Sequence, residues 1–128
     1  MKIAAAIARI LMGAIFVFFG SNIFFHFLPN PPMPPGPMAN FTGALFVTHY
    51  IHFVGVIQVV SGILFLFNRF VPLALTMIAP VIVNILLFHS LMAPSGIGPG
   101  LFVTLCWFVV FYRDRSAFRG LFQAKVEN

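Results

Sequence analysis

Charge is nearly absent from the middle of this 128-residue chain. Between Arg9 and Arg113 the sequence has a single charged side chain, Arg69, and the whole chain contains only two acidic residues. A soluble domain needs a charged surface, whereas a charge at the centre of a membrane helix costs about 2.5–3.5 kcal/mol. The scarcity of charge therefore argues against an ordinary soluble domain and predicts a protein of the lipid bilayer.

Two further absences narrow the possibilities: a second cysteine and a signal-peptide cleavage site. Cys106 is the only cysteine, so an intramolecular disulfide and a Cys-x-x-Cys redox centre are excluded, and Cys106 is interpreted as a small packing residue. The first apolar run is longer than the core of a signal peptide and has no small-x-small site before its prolines. We expect it to be a retained membrane helix.

Apolar residues, by contrast, make up 61% of the chain. About 20 apolar residues cross a hydrocarbon core of about 30 Å, and proline-rich and glycine-rich segments and Asn68-Arg69 divide the chain into four runs. The sequence predicts an all-α polytopic membrane protein, a single domain over residues 1–128 that forms a four-transmembrane-helix bundle. Its helices are expected at about 3–28, 41–67, 70–92 and 98–112 or slightly beyond.

The basic residues predict the orientation of this bundle. All seven Lys and Arg residues lie near the termini or in the turn at Arg69, and none lies in the other two connections. The positive-inside rule then places both termini and the Arg69 turn in the cytoplasm. The net charge of +5 is accordingly interpreted as topology and contact with anionic lipid headgroups, and no nucleic-acid partner is predicted.

Small residues and one proline predict how the helices pack. Gly13 and Gly20 are seven residues apart on the first helix, and Gly55 and Gly62 are seven apart on the second, so each helix has a smooth stripe that permits close approach. Pro80 lies in the middle of the third helix and predicts a bend there, because it removes one backbone hydrogen bond.

Polar residues within the apolar runs are the candidate functional residues. Counting inward from the outer boundary at about 1.5 Å per residue places Asn22, His52 and Asn84 at similar depths, on the order of 10 Å below the surface. Three helices would then direct polar groups to one level. The candidate ligand-binding residues are Asn22, His26, His49, His52, Gln58, Asn84 and His89.

Three interpretations of these residues are open. They can form an interhelical hydrogen-bond cluster that holds the bundle together, with each contact worth about 0.6 kcal/mol. They can instead line an outward-facing cavity that binds the polar head of a lipid-soluble ligand or cofactor such as a quinone. A metal site would rest on His49 and His52, three residues apart, but these histidines have no Cys or acidic residue near them in the sequence. No metal site is predicted.

Two segments resemble the DoxX-like family of small four-helix bacterial membrane proteins. They are ARILMGAIFVFFGSNIFFHFLP (Ala8 to Pro29) and VGVIQVVSGILFLFNRFVPLALTMIAPVIVNILLFH (Val54 to His89), and the resemblance covers nearly the whole chain. The residues that carry it are Arg9, Gly13, the Gly20 region, the segment from Gly55 to Gly62, and Asn84 with His89. Many relatives have Glu at the position of Gln58 and Lys near Ile23, so this chain departs from the family there.

The resemblance implies a role near membrane redox chemistry, since the family is named after a small subunit associated with a terminal quinol oxidase. It implies a non-catalytic accessory or associated subunit of a membrane electron-transfer assembly, in the bacterial cytoplasmic (inner) membrane, with lipids and a larger membrane protein complex as partners. The alternative is a quinone-binding membrane oxidoreductase component with an outward-facing polar cavity. A small-solute transporter is less well supported, because no acidic residue lies within the apolar runs to couple protons or sodium.

Overall fold

The computed structural model describes residues 1–29 and 32–126, and within these ranges the chain is helical and contains no strand. The α-helices are α1 (Lys2–Phe25), α2 (Pro37–Val47), α3 (Tyr50–Phe67), α4 (Val71–Leu91) and α5 (Gly98–Asp114). Two 3-10 helices, Pro94–Gly96 and Arg115–Phe122, precede and follow α5. The prediction of an all-α protein is confirmed.

Three of these helices, α1, α3 and α4, are long and apolar enough to cross a membrane by length and composition. Helix α5 is apolar as well but shorter, with 17 residues. Large hydrophobic side chains cover the outside of the bundle: Phe53, Leu91 and Leu105 are 74%, 76% and 62% exposed. Such a surface would aggregate in water and suits a surrounding of lipid.

The four long helices surround one core. Helices α1 and α4 each pack against both α3 and α5, which closes a ring of four helices that alternate in direction. Each helix contributes buried side chains to the same hydrophobic cluster, among them Met12, Phe65, Ile78 and Val110. The short helix α2 lies outside this ring against α3 and has no buried residue.

Helices α1 and α3 approach each other most closely along their glycines. A Cβ atom built on Gly62 would lie 2.8 Å from the carbonyl oxygen of Gly13, and one built on Gly20 would lie 3.1 Å from the carbonyl oxygen of Gly55. The two glycine stripes therefore face each other in antiparallel helices. The prediction of close approach along these stripes is confirmed.

The helix predicted over 41–67 is divided in the structure. Helix α2 ends at Val47, and His49 has a left-handed backbone (φ 62°) before α3 begins at Tyr50. The hydroxyl group of Thr48 donates a hydrogen bond to the carbonyl oxygen of Ala44 and accepts one from the backbone N–H of Tyr50. The Thr48 side chain thus forms backbone hydrogen bonds that compete with those of a continuous helix. Hydropathy does not reveal such local bonds, so the break could not be predicted from it.

Pro80 lies within α4, which extends from Val71 to Leu91. Proline has no N–H, so the Thr76 carbonyl lacks its usual helical donor. One residue earlier, the carbonyl oxygen of Leu75 accepts a hydrogen bond of 3.0 Å from Nε1 of Trp107, which joins α4 to α5. The bend expected at this turn stays a prediction.

Arginine side chains gather at one end of the bundle, here called the basic end, where α1 and α4 begin and α3 and α5 finish. Arg9 of α1 donates hydrogen bonds to the carbonyl oxygens of Phe65 and Leu66 in the last turn of α3. Arg113 of α5 is paired with Asp114, at 2.7 Å between Nε and Oδ1. The structure thus brings basic residues that are distant in sequence to the same end.

Candidate functional site

The seven candidate residues lie in the part of the chain that the structure describes, in the half of the bundle away from the basic end. This opposite end is where α1 and α4 finish and α3 and α5 begin. The candidates do not form one cluster there. Six of them fall into three pairs: two residues at the end of α1, two histidines at the start of α3, and two residues that share a cavity. The seventh, Asn84, bonds within its own helix.

Asn22 and His26 terminate helix α1. The Asn22 side-chain oxygen accepts a hydrogen bond of 2.9 Å from the backbone N–H of Leu28. His26 has a left-handed backbone conformation, and its N–H donates to the Asn22 carbonyl oxygen at 2.8 Å. The Asn22 side chain therefore satisfies a backbone N–H just beyond the helix end, and the His26 side chain is exposed.

His49 and His52 form a pair of rings at the start of α3. Their ring centroids are 5.2 Å apart, and the His52 ring meets Phe24 of α1 edge-on at 5.1 Å. His49 is exposed and His52 is partly buried, with its Nδ1 atom out of contact with solvent and without a hydrogen-bond partner in the described chain. The pair contributes aromatic contacts between α3 and α1.

Asn84 points away from the other candidates. Its side chain is exposed on α4, and its Nδ2 atom donates a hydrogen bond of 2.8 Å to the carbonyl oxygen of Pro80 in the same helix. The expected polar level of Asn22, His52 and Asn84 is therefore not formed as a shared hydrogen-bond cluster. The depth of a residue along a helix can be counted from the sequence, whereas the direction in which its side chain faces around the helix axis cannot. The side-chain amides of Asn22 and Asn84 bond to backbone groups nearby in the chain and not to each other.

Gln58 and His89 share a cavity of about 320 Å³. It lies among α1, α3, α4, the 3-10 helix at residues 94–96 and the start of α5. The residues that line it are Ile15, Phe16, Phe19, Gln58, Ile85, His89, Gly96, Pro99, Gly100 and Val103. Apart from Gln58 and His89 its walls are apolar, which is the usual composition of a site for a small organic ligand.

Gln58 is the most deeply placed polar group of this cavity. Its side chain is 8% exposed and lines the cavity. It lies eight residues into α3, about 12 Å from that helix's start at a rise of 1.5 Å per residue. An amide among apolar walls is stabilised by a hydrogen bond, so the cavity is suited to a ligand that bonds to it.

His89 also lines the cavity and is held by the chain that follows α4. Its Nδ1 atom lies 3.2 Å from the carbonyl oxygen of Ala93. A carbonyl oxygen only accepts hydrogen bonds, so Nδ1 carries the hydrogen and Nε2 is the acceptor of the neutral ring. Gly96 packs beside the ring, and a Cβ built on it would lie 2.9 Å from His89 Cε1.

Gly96, in the connection before α5, and Gly100, in the first turn of α5, are site residues that sequence reasoning missed. A Cβ on Gly100 would lie 3.0 Å from Cγ2 of Ile85, so the absence of a side chain permits close packing beside the cavity. The sequence places Gly96 in the third connection and Gly100 at the start of the fourth helix, and predicts no site role for either. The sequence did contain one indication of them: glycines recur just after the helix end that carries His89.

A second cavity, of about 310 Å³, lies at the basic end, between the start of α4 and the end of α5. Its one basic side chain, Arg113, is already paired with Asp114 through two hydrogen bonds of 2.7 and 2.9 Å. The described residues contain no group of three or more potential metal ligands. The cavity with Gln58 and His89 is therefore the candidate functional site.

Comparison of the chain with models of protein families, with curated proteins and with solved structures found no match.

Proposed function

We propose that this chain is a multi-pass protein of the bacterial cytoplasmic membrane, with α1, α3, α4 and α5 all crossing the bilayer and both termini in the cytoplasm. The observation that carries the proposal is the division of the bundle into a basic end and an apolar circumference. Arg9, Arg69 and Arg113 lie together at one end, and large apolar side chains face outward along the helices. Anionic lipid headgroups attract the basic end, and lipid acyl chains surround the apolar side chains.

Within that membrane the chain acts as a non-catalytic accessory or associated subunit of an electron-transfer assembly. The support for this role is the resemblance of the segments at residues 8–29 and 54–89 to the DoxX-like family. The outward apolar faces of the helices also leave room for contacts with other membrane proteins as well as with lipid.

Native gel electrophoresis of mildly solubilised membranes tests the accessory role. The affinity-tagged chain should migrate in a band much larger than its own 14.2 kDa, and that band should stain for quinol or dehydrogenase activity. Deletion of the gene should reduce the stained activity or change the band's size, while the purified chain alone shows no turnover. A chain that migrates alone, with an unchanged respiratory band in the deletion strain, would contradict this role.

A second candidate function is favoured by the cavity itself. The buried amide of Gln58 and the imidazole of His89 face an apolar space of about 320 Å³, so the bundle can bind the polar head of a lipid-soluble ligand such as a quinone. Chloroform extraction of purified protein should then release one such molecule per chain. Wild-type protein that yields no more ligand than Gln58→Leu would speak against this function and leave the accessory role untouched.

A further inference from the structure

We infer that the cavity of Gln58 and His89 selects an uncharged, lipid-soluble ligand whose head donates a hydroxyl hydrogen, such as a phenol or quinol, over one whose head offers only acceptors. The inference rests on the second candidate function, that of a ligand-binding bundle. It adds a preference for a hydroxyl donor, which follows from the hydrogen bond that the His89 ring makes.

His89 determines the preference. Its Nδ1–H donates to the Ala93 carbonyl oxygen at 3.2 Å, which assigns the hydrogen to Nδ1 and leaves Nε2 as an acceptor in the neutral imidazole. An acceptor requires a donor on the ligand. A hydroxyl group provides one, whereas a quinone carbonyl or an ether oxygen does not.

Gln58 provides the second contact. Its amide can both donate and accept, and its side chain is 8% exposed and lines the cavity. The oxygen of a hydroxyl head can accept a hydrogen bond from the Gln58 amide while its hydrogen is donated to His89. An ether retains the first of these bonds and lacks the second, which allows the two contacts to be separated by experiment.

The size and lining of the cavity limit the rest of the ligand. A protein cavity of about 150 Å³ holds benzene, so a space of about 320 Å³ holds one ring with a short alkyl chain. Phe16, Phe19 and Val103 are among the apolar walls, and none of the lining residues carries a formal charge. An ionised head would therefore be buried without a counter-charge, which is unfavourable.

A matched pair of probes tests the preference on the unmodified protein. The probes are 4-pentylphenol and its methyl ether, which differ only in the hydroxyl hydrogen. Equilibrium dialysis against protein in detergent, corrected with empty micelles, should show about five- to ten-fold tighter binding of the phenol, the worth of one additional hydrogen bond. Equal binding of the two would overturn the preference while the ligand-binding function stands. Binding of neither would overturn both.

Two variants assign the contacts, with a third as control. His89→Phe should bind the phenol and the ether with nearly equal affinity, whereas Gln58→Leu should weaken both by a similar factor. Asn84→Leu removes an exposed amide that bonds within its own helix and should leave both affinities as in the wild type. Retention of the full phenol preference in His89→Phe would show that another group selects the hydroxyl and would contradict the inference. The wild-type comparison stays decisive if a variant fails to fold.

Discussion

At the scale of single residues, Arg9 shows how one basic side chain can have two roles. Its position near the N-terminus predicts a cytoplasmic helix start, and the structure adds hydrogen bonds from its guanidinium to the carbonyl oxygens of Phe65 and Leu66. Those carbonyls belong to the last turn of α3, where a helix lacks donors and its dipole favours a positive charge. Arg9 therefore stabilises the end of a neighbouring helix.

Arg9→Met is expected to lower the free energy of unfolding by about 1–2 kcal/mol, because it removes a charged donor from the end of α3. Lys2→Met is the matched control: it removes the same charge from an exposed residue seven positions earlier. Thermal unfolding in detergent should show a lower midpoint for Arg9→Met and almost no change for Lys2→Met. Equal effects of the two variants would mean that net charge, and not the contact with α3, is responsible.

The candidate residues show what can be predicted at this scale. Gln58 and His89 were identified from their polarity within apolar runs, and the structure brings them to one cavity. Asn22 and Asn84 were selected by the same reasoning, yet each bonds to backbone near it in the chain. Polarity identifies the residues that need a partner. It does not reveal whether the partner is the residue's own backbone, because that depends on rotamer and helix rotation.

At the scale of helices, the pairing of α1 with α3 is determined by glycine. Each stripe was visible in the sequence as two glycines seven residues apart, and the contact of Gly13 with Gly62 and of Gly20 with Gly55 follows from packing smooth faces together. The break at His49 was not visible, because neither proline nor glycine marks it. Hydropathy thus predicts where apolar segments lie better than where their backbone changes direction.

Gly62→Ala should destabilise the bundle by about 1–3 kcal/mol, as expected for overpacking. Its Cβ would lie 2.8 Å from the Gly13 carbonyl oxygen and 2.9 Å from the Val17 backbone nitrogen, so the helix backbones must move apart. Gly43→Ala in α2 is the control, since a Cβ there meets nothing within 4 Å and alanine favours a helix by up to about 1 kcal/mol.

The midpoints of thermal unfolding of these two glycine variants are therefore expected to change differently. The midpoint should fall for Gly62→Ala and stay constant or rise for Gly43→Ala. A Gly62→Ala protein as stable as the wild type would show that α1 and α3 do not approach along these glycines.

At the scale of the whole molecule, the two ends of the bundle differ in chemistry. The basic end holds Arg9, Arg69 and Arg113 and is proposed to face the cytoplasm. The opposite end holds the cavity of Gln58 and His89, so a ligand would reach this cavity from the outer leaflet or from the outer surface. The function of the site depends on this orientation, because it decides which compartment exchanges ligand with the bundle.

Accessibility of introduced cysteines measures this orientation directly. In a Cys106→Ala background, Ala39→Cys lies in α2 and Ser95→Cys in the 3-10 helix before α5, both at the opposite end, and Ala124→Cys follows α5. A membrane-impermeant thiol reagent applied to intact cells should label the cysteines at 39 and 95 and not the one at 124, whereas lysed cells should show labelling at all three. Labelling at 124 together with protection at 39 and 95 would reverse the proposed orientation, and labelling of all three in intact cells would contradict four crossings.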